Sequence, residues 1–195
     1  MALLNALMRH RTFYRPVCLC VAFALFLVGT LNLHAQLASA REYQIKAVFL
    51  FNFGQFVEWP ADSFPEILSP LVIGILGEDP FDGYLDEIVR GEKVAGHPLV
   101  VQRYRELGEI KTCHILFISR SEAGKLRQII NGLRGRSILA VSDISDFTEY
   151  GGTIRFVTES NKIRLRVNLD AVKAANLIIS SKLLRPAEIV TSSRN

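Results

Sequence analysis

The residues able to do chemistry are few and scattered. Beyond position 40 the chain holds two histidines, His97 and His114, and one cysteine, Cys113. A metal site needs three or four such ligands at short spacing, which this set does not supply. Cys113 and His114 are neighbours in the apolar run Cys113-His114-Ile115-Leu116-Phe117-Ile118. Adjacent side chains on a strand point to opposite faces, so the two cannot form a thiolate pair. The expectation is a buried, inert thiol and a packed or hydrogen-bonded histidine. Gly74 and Gly77 are spaced G-x-x-G without the further glycine of a dinucleotide loop, and neither G-x-x-x-x-G-K-[ST] nor G-x-S-x-G occurs. Nucleotide binding and serine-hydrolase chemistry therefore lack support.

What remains is a set of polar residues that directly follow apolar runs: Glu78-Asp79, Ser119 with Ser121, and Ser142-Asp143. If the runs are parallel strands, these residues gather at strand carboxyl ends, where open α/β sheets bind small molecules. Asp and Ser are equally the ordinary caps and turn formers of βα loops. No catalytic set, metal site or cofactor follows, and the chain reads as non-enzymatic.

The elements that must position these residues alternate. Glu42 to Trp59 has apolar residues at three- and four-residue spacing (Ile45, Val48, Phe49, Phe53, Phe56) and a second stripe at Ala47, Leu50, Phe51 and Val57. This predicts a helix apolar over most of its girth, sandwiched or serving as an interface, and ended by Pro60. Leu71–Leu76, Leu99–Tyr104, Ile115–Ile118 and Ile138–Val141 read as strands, with helices over Phe81–Val89 and Ser121–Leu133, the latter capped by Ser121. Strands apolar throughout and separated by helices imply parallel pairing with both faces covered. Thr153–Thr158 and Lys162–Asn168 flank Ser160-Asn161 and form a hairpin with one wet face; Asn168 caps a closing helix over Leu169–Ala175. Leu177–Leu184 is apolar and fits either element. The fold class is α/β, a mostly parallel sheet with helices on both faces and a C-terminal antiparallel hairpin.

The 195 residues carry 23 bases and 19 acids, a net charge of +4. Residues 1–40 hold Arg9, Arg11 and Arg15 and no acid, leaving 20 bases against 19 acids in 41–195. The basic balance belongs to the leader, so nucleic acid is not an expected partner. Those arginines precede the apolar run Val17–Leu31 and then Ala38-Ser39-Ala40. This is the pattern of a cleaved signal peptide over 1–40, with a mature single domain over 41–195 outside the cytoplasm. Cys18 and Cys20 would leave with the leader, so Cys113 alone allows no intramolecular disulfide.

Seven stretches together resemble the YfiR family of exported α/β proteins. They are Lys46-Ala47-Val48-Phe49-Leu50, Phe56-Val57-Glu58-Trp59-Pro60, Ile73 to Phe81, Cys113 to Ser119, Val141-Ser142-Asp143, Gly151-Gly152, and Arg164 to Leu169 followed by Ser180 to Leu184. The resemblance covers Glu42 to Ala187. It implies a periplasmic, non-enzymatic regulator that restrains an inner-membrane diguanylate cyclase by acting on its periplasmic sensing region, and that an outer-membrane lipoprotein titrates away, so that cyclic-di-GMP and biofilm formation rise. Relatives with paired cysteines use disulfides for stability or redox control, which a chain with one remaining cysteine cannot do. The alternative is a periplasmic small-molecule sensor using the strand-end loops. Self-association as a homodimer is a further partner class that the two-sided first helix admits.

The sequence places the partner-binding surface where apolar residues come late, outside the strand-helix repeat: Phe147, Tyr150, Ile154 and Val172. Phe56, Trp59 and Pro60 are expected to be structural, closing the first helix against the sheet.

Overall fold

A computed structural model describes residues 38–66, 68–160 and 162–191. The candidate leader arginines and the apolar run lie outside these residues. Glu42–Asn195 form one compact unit. Its first helix, α1, is part of a helical stretch over residues 38–56. After it come β1 (Val57–Glu58), β2 (Leu71–Leu76), α2 (Tyr84–Val89), β3 (Lys93–Val94), β4 (His97–Tyr104) and β5 (Ile115–Ile118). Next are α3 (Leu126–Gly132), β6 (Leu139–Ser142), β7 (Ile154–Glu159), β8 (Lys162–Asn168), α4 (Leu169–Ala174), β9 (Ile178–Ile179), α5 (Ser181–Leu184) and β10 (Glu188–Val190).

The main sheet has eight strands in the order β10-β8-β7-β6-β5-β2-β4-β3. β4, β2, β5, β6 and β7 run parallel; β8 pairs antiparallel with β7, and β3 antiparallel with β4. The expected class is the observed one. All six residues of β2 and all four of β5 and β6 are buried, because helices cover both faces of these strands. On one face Ala47, Leu50 and Phe53 of α1 and Leu85 and Val89 of α2 pack on Ile73, Ile75, Phe117, Val141 and Phe156. On the other, Leu126, Ile129 and Ile130 of α3 pack on Leu116, Ile118 and Ala140.

Three local expectations change. α1 ends at Phe56 and not at Trp59, because Val57 and Glu58 pair antiparallel with Ile179 and Ile178 and the Ser180 N–H donates to the Phe56 carbonyl at 2.8 Å. Pro60 instead starts a 3₁₀ turn over Ala61–Ser63. The stretch expected as a single helix after β5 opens as 3₁₀ over Arg120–Lys125, with Ser119 and not Ser121 as its cap: Ser119 Oγ accepts from the Ser121 N–H. The Asn168 cap of α4 forms as expected, its side chain accepting from Ala171 N–H at 3.0 Å.

Trp59 sits half-buried, edge-on to His114, its Nε1–H donating to the His114 carbonyl at 3.1 Å. Full burial would make Trp59→Ala cost 3–5 kcal/mol; with part of the ring in water the expected loss is about 2 to 3 kcal/mol. A thermal melt checks it, and an unchanged melting temperature would show that the indole packs on nothing that matters.

Candidate functional site

The carboxyl ends of β2, β5 and β6 do carry the polar residues that the sequence places there. Most of their groups are bonded within the fold. Ser142 Oγ donates to the Ile118 carbonyl at 2.7 Å and accepts from Ile144 N–H at 3.1 Å. Asp79 caps the turn before α2 through Phe81 N–H at 2.8 Å, and with Asp86 it clamps Arg103. Gly77 turns the chain at φ +91°, where a side chain would run into Ser121 Oγ, and the next residue, Glu78, donates its N–H to that oxygen at 3.0 Å. These are the caps and turns of βα loops.

The strongest electrostatic feature at this edge involves a residue that sequence reasoning missed. Lys46 on α1 is fully buried, and its Nζ reaches Asp143 Oδ2 and Glu42 Oε1, each at 2.5 Å. Tyr43 Oη donates to the same Asp143 oxygen at 3.0 Å, and Arg120 Nε lies 3.2 Å from it. Burial, and then the Asp143 charge, hold the Tyr43 hydroxyl well above the usual phenol range, so it stays protonated as a donor. Two cations, Lys46 and Arg120, face two carboxylates, Glu42 and Asp143. The set balances its charge and ties α1 to the end of β6. A signal for it exists in the sequence: Lys46 is in phase with Leu50, Phe53 and Val57, on the face that α1 buries.

At the amino ends of β4 and β5, Phe64 lies stacked between His97 and His114, with ring centroids 3.9 and 4.4 Å away. His114 Nδ1 accepts from Val72 N–H at 3.0 Å, which places the proton on Nε2, donating to the Ser63 carbonyl at 3.1 Å. Burial holds His114 below its ordinary value of 6.5, and the His97 charge adds to that shift against the Ser63 bond. The unfolded chain takes up a proton near 6.5 while the folded one does not, so this contribution is complete above pH 6.5 and is lost as pH falls toward the folded value. Between about pH 7 and pH 5 the melting temperature is expected to fall more steeply than in His114→Asn. Parallel slopes would remove His114 as the cause. Cys113 beside it is buried and its thiol is pushed up to about 12, so it is a poor nucleophile.

The expected partner surface needs correction. Phe147 and Ile154 have no exposed surface and Val172 is 3% exposed. Ile154 and Val172 belong to the core under α1, and Phe147 to the core under α3. A charge at any of the three would strike the core and not a free surface. Tyr150 alone is accessible, 38% exposed, its ring under the Arg127 guanidinium at 4.6 Å. It borders a cleft of about 440 Å³ shared with Arg134, Ile138 and Ala171. Elsewhere apolar exposure is largest at Leu68, on β9 at Ile178, on β10 at Ile189, and along the outer side of α1, where Ile45 is 50% and Val48 41% exposed. Phe56 and Pro60 are half-buried, the former packed against the α1-side core. Among the described residues no three His, Cys, Asp or Glu side chains gather to hold a metal ion, and no helix is long and apolar enough to cross a membrane.

A family profile described as YfiR/HmsC-like matches residues 43–188. No protein of curated function matches the chain. Among solved structures, an ABC domain in complex with L-Trp from Streptococcus pneumonia aligns with a TM-score of 0.47 at 12% identity, covering 62% of this chain and 55% of that one. A conserved domain protein from Vibrio cholerae O1 biovar eltor aligns with a TM-score of 0.45 at 11% identity, covering 62% and 54%. The chain spans just over half the length of each.

Proposed function

The chain belongs to the YfiR/HmsC-like family, whose members are regulatory rather than catalytic and act in cyclic-di-GMP signalling, and from that premise we propose that it is a periplasmic inhibitor of an inner-membrane diguanylate cyclase. In this reading residues 1–40 are an export signal that is removed, and the domain over 41–195 binds the periplasmic sensing region of the cyclase. An outer-membrane lipoprotein competes for the inhibitor and so releases the enzyme. The observation that carries the proposal is the extent of the family match, residues 43–188, nearly the whole compact unit Glu42–Asn195. Tyr150 and the outer side of α1 are the apolar surfaces offered for contact. The rival reading, a small-molecule sensor built on the strand-end loops, is less favoured because Ser119, Ser121, Ser142 and Asp79 there are used as caps and turn bonds within the fold.

The test pairs two measurements. Tagged periplasmic region of a cyclase from the same cell should capture the purified protein, and deleting the protein should raise cyclic-di-GMP and biofilm. No capture together with an unchanged cyclic-di-GMP level would overturn the proposal.

A further inference from the structure

The hairpin β7–β8 has two unlike faces. Ile154, Phe156, Leu165 and Val167 point into the core under α1. The opposite face carries Arg155 and Val157 on β7 and Arg164 and Arg166 on β8. Among the described residues, none of β7, β8 or β10 belongs to the core that α3 covers. The register sets Arg155 directly across from Arg166, and Val157 across from Arg164. Like charges directly opposite on a sheet repel, and a native hairpin normally avoids them. Arg166 is partnered on its other side by Glu188 at 2.9 Å, and Arg164 is 3.7 Å from Glu159. Arg155 has neither: its Nε is buried and has no hydrogen-bond partner among the described residues. A buried donor left unmade beside a second guanidinium is a liability for the fold alone.

We propose that this face is an interaction surface on which one carboxylate side chain of a protein partner seats between Arg155 and Arg166. The planar guanidinium matches a carboxylate, and the Nη edges of two guanidinium groups facing across one strand pair would meet both its oxygens. Glu149 and Glu159 both act on the charge of Arg166, and Glu188 is bonded to it. Three acids around the arginines repel a continuous polyanion or an anionic lipid surface and leave room for a single acidic residue. The inference rests on the reading that the chain works by binding a protein, and locates part of that contact.

Wild type, Arg155→Met, Arg155→Lys and Arg166→Met would be titrated with the periplasmic region of the cyclase and, by following the arginine Nε–H signals in NMR, with an end-capped, otherwise neutral peptide carrying a single glutamate. Loss of one fork should weaken binding about tenfold or more in each Met variant, with only part recovered by Lys. The melting temperature should stay level or rise, since the like-charge pair is relieved. Binding unchanged in both Met variants overturns the surface, as does a fall in melting temperature without loss of binding. Arginine-dependent capture by phosphatidylglycerol vesicles overturns it in favour of lipid. Should the cyclase region fail to bind while the peptide shifts the Arg155 signal, the cyclase reading fails and the surface stands. Should the cyclase bind and the Met variants bind equally, the reverse holds; binding of neither probe sinks both.

Discussion

Lys46→Met is expected to lower the stability of the domain by about 3 to 5 kcal/mol, close to 10 °C in melting temperature for a chain of this size. The reason is an imbalance. Methionine fills much of the volume that the lysine stem occupies, so little packing is lost. The removed ammonium, however, neutralises Asp143, whose side chain is 1% exposed and whose Oδ1 already lacks a partner. Arg120 and the Tyr43 hydroxyl remain on Oδ2, which moves the expectation toward the low end of the range. Removing both charges together, as Lys46→Met with Asp143→Leu, should recover at least half of the loss, because an apolar pair of similar volume replaces an ionic one. Thermal and urea melts of the two single variants and the double close the cycle. A Lys46→Met protein that melts within a degree or two of wild type would mean that α1 is not tied to the sheet through Asp143.

The same pair shows why the sequence was readable in its frame and less so in its sites. β2, β5 and β6 announce themselves as short apolar runs, and their burial on both faces follows from helices lying between them in the chain. Asn168 could be assigned as a cap because capping is a local event within three residues. The errors sit where a partner distant in sequence decides. α1 stops at Phe56 because β9, more than a hundred residues later, takes Val57 and Glu58. Lys46 lies in phase with the buried face of α1, but what its charge meets is decided by Asp143, 97 residues later. Phe147, Ile154 and Val172 read as late, uncovered apolar residues, yet the hairpin's inner face lies under Phe49 and Phe53 of α1, whose rings meet Phe156 at 5.8 and 5.9 Å. Alternation along β7 and β8 was legible; that its wet face would set Arg155 against Arg166 required the register.

Gly152→Ala is expected to cost about 3 kcal/mol, at the upper end for overpacking a filled core. The loop from Asp143 to Thr153 carries the chain from the carboxyl end of β6 back to the start of β7, and Phe147 is its fully buried anchor. Gly152 closes that loop: its N–H donates to the Phe147 carbonyl at 2.9 Å, and the Phe147 ring lies against its Cα. A methyl group there would stand 2.5 Å from Cζ and closer still to Cε1 and Cδ1. The ring cannot swing aside, because Phe147 is enclosed in the core under α3. Either the ring leaves its rotamer or the loop lifts from β6, and both lose packing. Phe147→Leu, which removes the ring atoms in conflict, should be mildly destabilising alone and should restore part of the loss when combined with Gly152→Ala. That sign of coupling separates a steric conflict from a general intolerance of the loop to change. Tyr150 lies on the same loop, so Gly152→Ala should also weaken cyclase capture at temperatures where the domain is still folded, while Tyr150→Ala weakens capture with little effect on melting. A Gly152→Ala protein with wild-type melting and no coupling to Phe147→Leu would mean that the ring does not occupy the space this glycine leaves, and the burial of Phe147 would have to be reassigned.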